Sequence, residues 1–309
     1  MTQRAPIIIN GQQIGRLKAS WLLFKESWNF LRADKEMMWI PLITAALNLF
    51  LFGILVAVFL LSGAFAQFEA QQSGNGYLYY EFVFGGYVIG AFTLALAQAA
   101  IAHTVYTRIK GGDATLGESL KVAFSHWVPL LLWSLITSTV GIVLRVIAER
   151  SELIGKIISL ILGTAWAVLT FFVVPAMVID NKSPFASIKK STQVFKATWG
   201  ETIVSSISLS LTVLLAILLP LLAIIGLMFV VYTLALPAAN YIVLSVAYII
   251  WLALVMLVSS VLDGVLRTLL YVYAAEGIRP ANFNPELLDK MLARSTPAPI
   301  LAPTQTIVQ

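Results

Sequence analysis

Long, nearly unbroken apolar runs separated by short polar connections set the pattern of this chain. They lack the period-two alternation of a half-buried strand and the one-sided stripe of a soluble helix. A helix needs about 20 mainly apolar residues to cross a hydrocarbon core of roughly 30 Å. Six runs meet that requirement: 39–61, 79–103, 127–147, 153–179, 203–236 and 241–262, the last continuing as helix past Tyr271. The predicted fold is an all-α integral membrane protein with six transmembrane helices. The fifth run is too long for a simple crossing, since its length at 1.5 Å per residue gives about 51 Å of helix. Pro220 and Gly226 inside it predict a kink, a break or a strong tilt. It opens with Ser205, Ser206, Ser208, Ser210 and Thr212, which suit either close helix packing through small residues or the lining of a polar cavity.

A second pattern precedes two of the spans. Lys18-x-Ser20-x3-Phe24-Lys25-x2-Trp28 recurs as Lys189-x-Ser191-x3-Phe195-Lys196-x2-Trp199. At 100° per residue, Leu17, Trp21, Phe24, Trp28 and Leu31 share a face, with Lys18, Lys25 and Arg32 elsewhere; Ile188, Phe195 and Trp199 form the comparable face of the second copy. Such helices lie flat among headgroups, aromatics inward and lysines toward anionic lipid. A shortened third copy is Leu120-Lys121-x2-Phe124-x2-Trp127. The chain therefore divides into three repeats, each an interfacial amphipathic helix plus two spans, with the second and third such helices near 114–126 and 184–200. Residues 1–38 form the first polar region, 39–276 the transmembrane domain and 277–309 a tail. In the tail, Asn284 and Pro285 mark the start of a short helix, 285–293, before an aperiodic, disordered end.

Composition supports a lipid environment. Charged residues are only 11% of the chain, against roughly 25% in soluble domains, and a mean hydropathy of +0.89 leaves too much apolar surface for a soluble core. There is no cysteine, so disulfides and thiolate chemistry are excluded. The region before the first run is polar and mixed in charge, so insertion is expected to rely on the first span. Of the 20 Lys and Arg, all but Arg145, Arg150 and Lys156 fall on one side of the predicted topology. The positive-inside rule then places both termini in the cytoplasm. Nothing in this charge pattern points to nucleic acid.

Chemistry has few candidates. His103 and His126 flank one connection without a metal-ligand cluster, and no nucleophile or phosphate-cradle motif is present, so the expectation is no enzyme, no cofactor and no metal. Asp263 and Arg267 lie one turn apart near the end of the sixth span, where they could neutralise each other. Arg145 sits late in the third span, against the charge bias, with Glu149 and Glu152 within reach. Ionisable groups in spans are functional candidates by default. Asn48 and Gln98 lie deeper and suit interhelical hydrogen bonds, and Gly86-x3-Gly90 with Ala91, Ala95 and Ala99 is a packing stripe. Asp113, Asp180 and Asn181 fall in turns before helices.

The stretch from Leu17 to Trp28, then Leu31-Arg32-Ala33-Asp34-Lys35-Glu36 and a proline-containing span, resembles the DUF6159 family of prokaryotic membrane proteins. Phe195-Lys196-x2-Trp199-Gly200-Glu201 and Leu270-Tyr271-x-Tyr273-Ala274-x-Glu276-Gly277, followed by Phe283-x-Pro285-Glu286-Leu287-Leu288, fit the same pattern, and the likeness covers roughly 15–292. The resemblance implies a six-span protein of a bacterial or archaeal inner membrane and no assigned activity. A fainter likeness is to the membrane domain of some glycerophosphodiester phosphodiesterases, whose catalytic domain is absent. The functional expectation is a non-catalytic scaffold, assembly factor or accessory subunit. Its partners would be membrane lipids, another membrane protein or a second copy of itself, engaged through Lys18, Trp21, Phe24, Lys25 and Trp28 and through Lys189, Phe195, Lys196 and Trp199. The alternative is a carrier or channel using the serines of the fifth span.

Overall fold

The structure, a computed structural model, describes residues 7–9, 12–14, 25, 27–32, 34–62, 77–150, 153–234, 237 and 239–278. A short antiparallel pair, β1 (Ile7–Ile9) and β2 (Gln12–Ile14), comes first. The elements described after it are helical: α1 (Trp39–Leu61) behind a 3-10 turn, α2 (Tyr77–Ile109), α3 (Leu116–Ser125), α4 (Trp127–Glu149), α5 (Ile154–Thr170), α6 (Val173–Ile179), α7 (Pro184–Thr233) and α8 (Ala239–Glu276). Six helical segments are long and apolar enough to cross a membrane. In hydrocarbon no water is available for backbone N–H and C=O groups, which is why each run closes its hydrogen bonds within a helix.

Prolines decide where the helices divide. Pro129 has no N–H for the carbonyl of Ser125 and its ring crowds that turn, so α3 stops and α4 begins around His126. Pro175 acts the same way on Phe171. The fourth span, expected as one helix, is split there into α5 and α6. The fifth differs in the opposite sense. Helix runs without interruption from Pro184 to Thr233, through Pro220, so the 184–200 segment and the span share one 50-residue helix.

The chain forms two compact units. The larger comprises residues 39–197 and 267–278. In it α2 packs against α1, α3, α4 and α6, and α4 against α5. Its core gathers at the ends of the spans that carry the basic connections. There Ala99, Ala100, Ile101 and Ala102 of α2 are fully buried, as are Phe172, Ala176 and Met177, and Tyr271 of α8. The alanines let neighbouring backbones approach closely. Asn48 makes the interhelical bond expected of it, donating to the Thr93 hydroxyl of α2 at 2.8 Å. Trp133 and Trp166 stack across α4 and α5 at 5.9 Å. At the tight α4–α5 return, a Cβ on Gly155 would stand 2.4 Å from the Ile147 carbonyl oxygen, so only glycine fits. Gly111, with φ of 81°, closes the end of α2 in the left-handed conformation that glycine adopts without strain.

The smaller unit takes residues 1–38, 198–266 and 279–309. Its two long helical segments carry large apolar side chains outward, Leu219, Phe229, Ile242 and Ile249 among them, as lipid contact requires. Within this unit the proline problem has a direct solution. Pro220 cannot donate to the Ala216 carbonyl, and the Trp251 indole N–H does so instead, at 2.8 Å. Tyr248 donates to the next carbonyl, Ile217, at 3.3 Å. A proline is tolerated in a span when a neighbouring helix satisfies the freed group in this way.

Candidate functional site

At the basic ends of the larger unit, three local devices fix the surface. Thr115 caps α3: its hydroxyl accepts from the Glu118 N–H at 3.2 Å, while Glu118 accepts from the Thr115 N–H at 3.0 Å. The Thr115 N–H and hydroxyl hold the Glu118 carboxyl below the usual carboxylate range. A depressed carboxylate stabilises the fold above its unfolded value, about 4.3, and that contribution is lost as pH falls through the lowered folded value. We expect α3 to loosen in acid, and Thr115→Ala, costing about 1 kcal/mol, to flatten that acid dependence in thermal melts followed by circular dichroism. The Thr115-x2-Glu118 spacing is a capping-box signature that the sequence reading passed over in favour of Asp113. Asp113 instead pairs with Arg108 at 2.9 Å.

Tyr106 donates to Glu276 at 3.0 Å, tying the end of α2 to the end of α8. Lys110 contacts the Tyr106 hydroxyl and stands 3.8 Å from Glu276; the hydroxyl contact pushes the lysine above its ordinary value. The turn at Asp180 and Asn181 is held by the Asp180–Lys182 pair at 2.6 Å, and Asn181 takes a φ of 50°.

The start of α7 faces two ways. Ser187, Ser191, Val194 and Phe195 are buried, whereas Phe185, Lys189 and Lys196 are exposed. Phe195, assigned by sequence to the lipid-binding set, is 4% exposed and packs on Phe171 and Phe172. A face drawn at 100° per residue shows which side chains align and not whether lipid or protein covers them. Ser191 of the repeated motif accepts from the Phe172 N–H at 3.0 Å, capping the backbone released at the α5–α6 break. The carbonyl released there, that of Phe171, accepts from Arg267 at 3.4 Å, and the guanidinium lies 4.3 Å from the Phe171 ring.

Other assigned residues fall as follows. Lys25 is exposed, and Trp28 is half-buried under Arg32 at 5.4 Å. Lys18, Trp21 and Phe24 lie outside the described residues, as do Glu152 and the helix expected at 285–293. Trp199 is in α7, with its side chain outside what is described. Asp263 is half-buried on α8, one turn before Arg267. Among the described residues, no three His, Asp or Glu side chains converge as a metal site would need.

Arg145 lies at one end of an open groove of about 650 Å³ in the larger unit, on the side away from the basic connections. Phe52, Phe82 and Tyr87 form part of its wall; Gly86, Gly90 and Gly141 also line it. Nothing lies within 4 Å of a Cβ placed on Gly90 or Gly141, so the stripe read as a packing signal also leaves space. Arg145 donates from Nε to Glu149 at 2.8 Å, one of its two expected partners.

Trp251, Ser191 and the broken fourth span were not anticipated. Their signal was present in Pro220 and Pro175, each of which orphans the carbonyl four residues earlier.

No curated protein matches the chain, and the likeness to phosphodiesterase membrane domains has no support among the comparisons. One family does match, over residues 77–281. That stretch holds five of the six spans and the second motif copy, and it leaves out the first copy on which part of the resemblance was drawn. With six helices suited to a membrane and two thirds of its length matched, this chain belongs to DUF6159, a family of unknown function.

Proposed function

We propose that the protein is a non-catalytic membrane component, a scaffold, assembly factor or accessory subunit, whose basic face gathers anionic lipid or a partner protein. The observation that carries this reading is a set of outward aromatics at the basic ends of the spans. Trp39, Phe124, Trp127 and Phe185 are 57%, 44%, 54% and 74% exposed, and Lys121 on α3 and Lys189 and Lys196 on α7 are exposed as well. Aromatic rings favour the headgroup level, and lysines there attract anionic lipid at about 1 kcal/mol each. The dense core behind them supplies a firm base. On the charge bias this face and both termini are cytoplasmic, and three repeats of interfacial helix plus two spans would present it. The lack of a nucleophile–base set in the sequence supports a non-catalytic role.

The test is to replace Lys121, Lys189 and Lys196 together by Gln. Retention of phosphatidylglycerol, or of any stoichiometric partner, on protein extracted from native membranes should then fall by on the order of a hundredfold in apparent affinity. Undiminished retention of both would defeat the reading.

A carrier for a small amphiphile is the second reading, favoured by the groove beside Arg145. Its first motive, an interrupted fifth helix, is not met, since α7 is continuous. Vesicles with no substrate-dependent flux would dismiss it.

A further inference from the structure

The hairpin that opens the described chain is incomplete by itself. β1 (Ile7–Ile9) and β2 (Gln12–Ile14) pair antiparallel, Ile7 with Ile14, Ile8 with Gln13 and Ile9 with Gln12. Asn10-Gly11, a pair that favours tight two-residue turns, joins them. A lone two-stranded ribbon is marginal in water, and a third strand is ordinarily needed to hold it. No other strand is present among the described residues. Sheet edges are ordinarily defended by charged residues or proline, yet neither strand contains one.

The register decides which backbone groups are left over. With two residues in the connection, Ile9 and Gln12 exchange both of their backbone bonds, and so do Ile7 and Ile14. The N–H and C=O of Ile8 therefore turn outward on the edge of β1, and those of Gln13 on the edge of β2. The β1 edge is its own complement. When a second β1 lies antiparallel beside it about Ile8, each Ile8 gives its N–H to the carbonyl of the other. Ile7 then stands opposite Ile9 of the copy. β-Branched residues suit such cross-strand positions, and the uncharged strands bring no like charges together.

The geometry points to a second copy of this chain on that edge, forming a four-stranded sheet in the order β2, β1, β1, β2 across a two-fold axis. Such a contact satisfies the same groups in both copies at once. The two-fold axis of an antiparallel pair runs normal to its sheet. Copies inserted in one membrane share an orientation, so their axis follows the bilayer normal and the sheet lies parallel to the membrane. Strand alternation puts positions 7, 9 and 14 on one face, so that face carries three isoleucines from each copy. This seam is separate from the basic face and does not rest on the function proposed for it.

The chain has no cysteine, so single cysteines report the seam in the full-length protein in its native membrane. Across the axis the two Ile8 Cα atoms stand about 5.5 Å apart, within the roughly 4.4–6.8 Å that a disulfide spans. The two Ile14 Cα atoms are at least three strand spacings apart, roughly 14 Å. Under mild oxidation Ile8→Cys should become a disulfide-linked dimer, and Ile14→Cys should stay unlinked. Ile8→Pro removes the outward N–H and spares the bonds within the hairpin. It should abolish the dimer of otherwise unaltered protein seen by native mass spectrometry, whereas Gln13→Pro, the same change on the outer edge, should leave it. Failure of Ile8→Cys to link, as when another protein's strand holds the edge, would overturn the proposal. So would linking at Ile14 as well, or a dimer that the two prolines affect alike.

Discussion

Phe172→Ala should destabilise the larger unit by about 3–5 kcal/mol, the range for deleting a buried aromatic ring from a close-packed core. Phe172 is 0% exposed. Its ring centre lies 4.8 Å from that of Phe171, 6.4 Å from Phe195 and 6.0 Å from Tyr271, so it joins the α5–α6 break to both α7 and α8. Aromatic contacts of this kind add about 0.5–1.5 kcal/mol per pair beyond burial. Neither lipid nor water refills such a gap well, because its wall is protein on every side. The comparison is Phe185→Ala, on the same helix as Phe195 but 74% exposed. That change should shift stability by less than about 0.5 kcal/mol. Thermal unfolding in one detergent, read by tryptophan fluorescence, separates them. Equal midpoints for the two variants would mean that the aromatic cluster is not a packed core.

The second large effect concerns Trp251. Trp251→Phe keeps an aromatic ring but removes the indole N–H from the Ala216 carbonyl, which Pro220 has already deprived of its helical partner. An acceptor left unsatisfied away from water costs about 1–3 kcal/mol. Pro220→Ala supplies the missing N–H from within the helix. The loss caused by Trp251→Phe should therefore shrink to a few tenths of a kcal/mol when Pro220 is also alanine. The double-mutant cycle isolates this coupling from the general cost of altering either residue. Strictly additive effects would show that the indole does not serve that carbonyl.

How far the sequence reveals the structure depends on what each signal encodes. The six spans are legible because length and apolarity are what a bilayer demands, and the run at 127–147 differs from α4 (Trp127–Glu149) by only two residues. The bond from Asn48 is legible because a deep amide has few alternatives. The α5–α6 break is hidden because residues 153–179 are mainly apolar, and one proline is the whole signal. The continuity of α7 is hidden for the converse reason: Gly200 and Glu201 read as a boundary, yet no residue between Pro184 and Pro220 forbids helix. The burial of Phe195 depends on Phe171 and Phe172, which the hidden break sets against it. The groove is hardest to read. Glycines spaced to bring helices together meet a neighbour at Gly86, where an added Cβ would stand 3.4 Å from Phe52, and leave the gap open at Gly90.

The two proline-freed carbonyls share one property. Ala216 is served by Trp251 and Phe171 by Arg267, and both donors belong to α8. A chain is synthesised from its N-terminus, so both acceptors are made before either donor. Until α8 is in place, the first five spans have two backbone groups short of these donors. Arrival of the last span supplies both, which makes α8 the element that commits the chain to its assembled state.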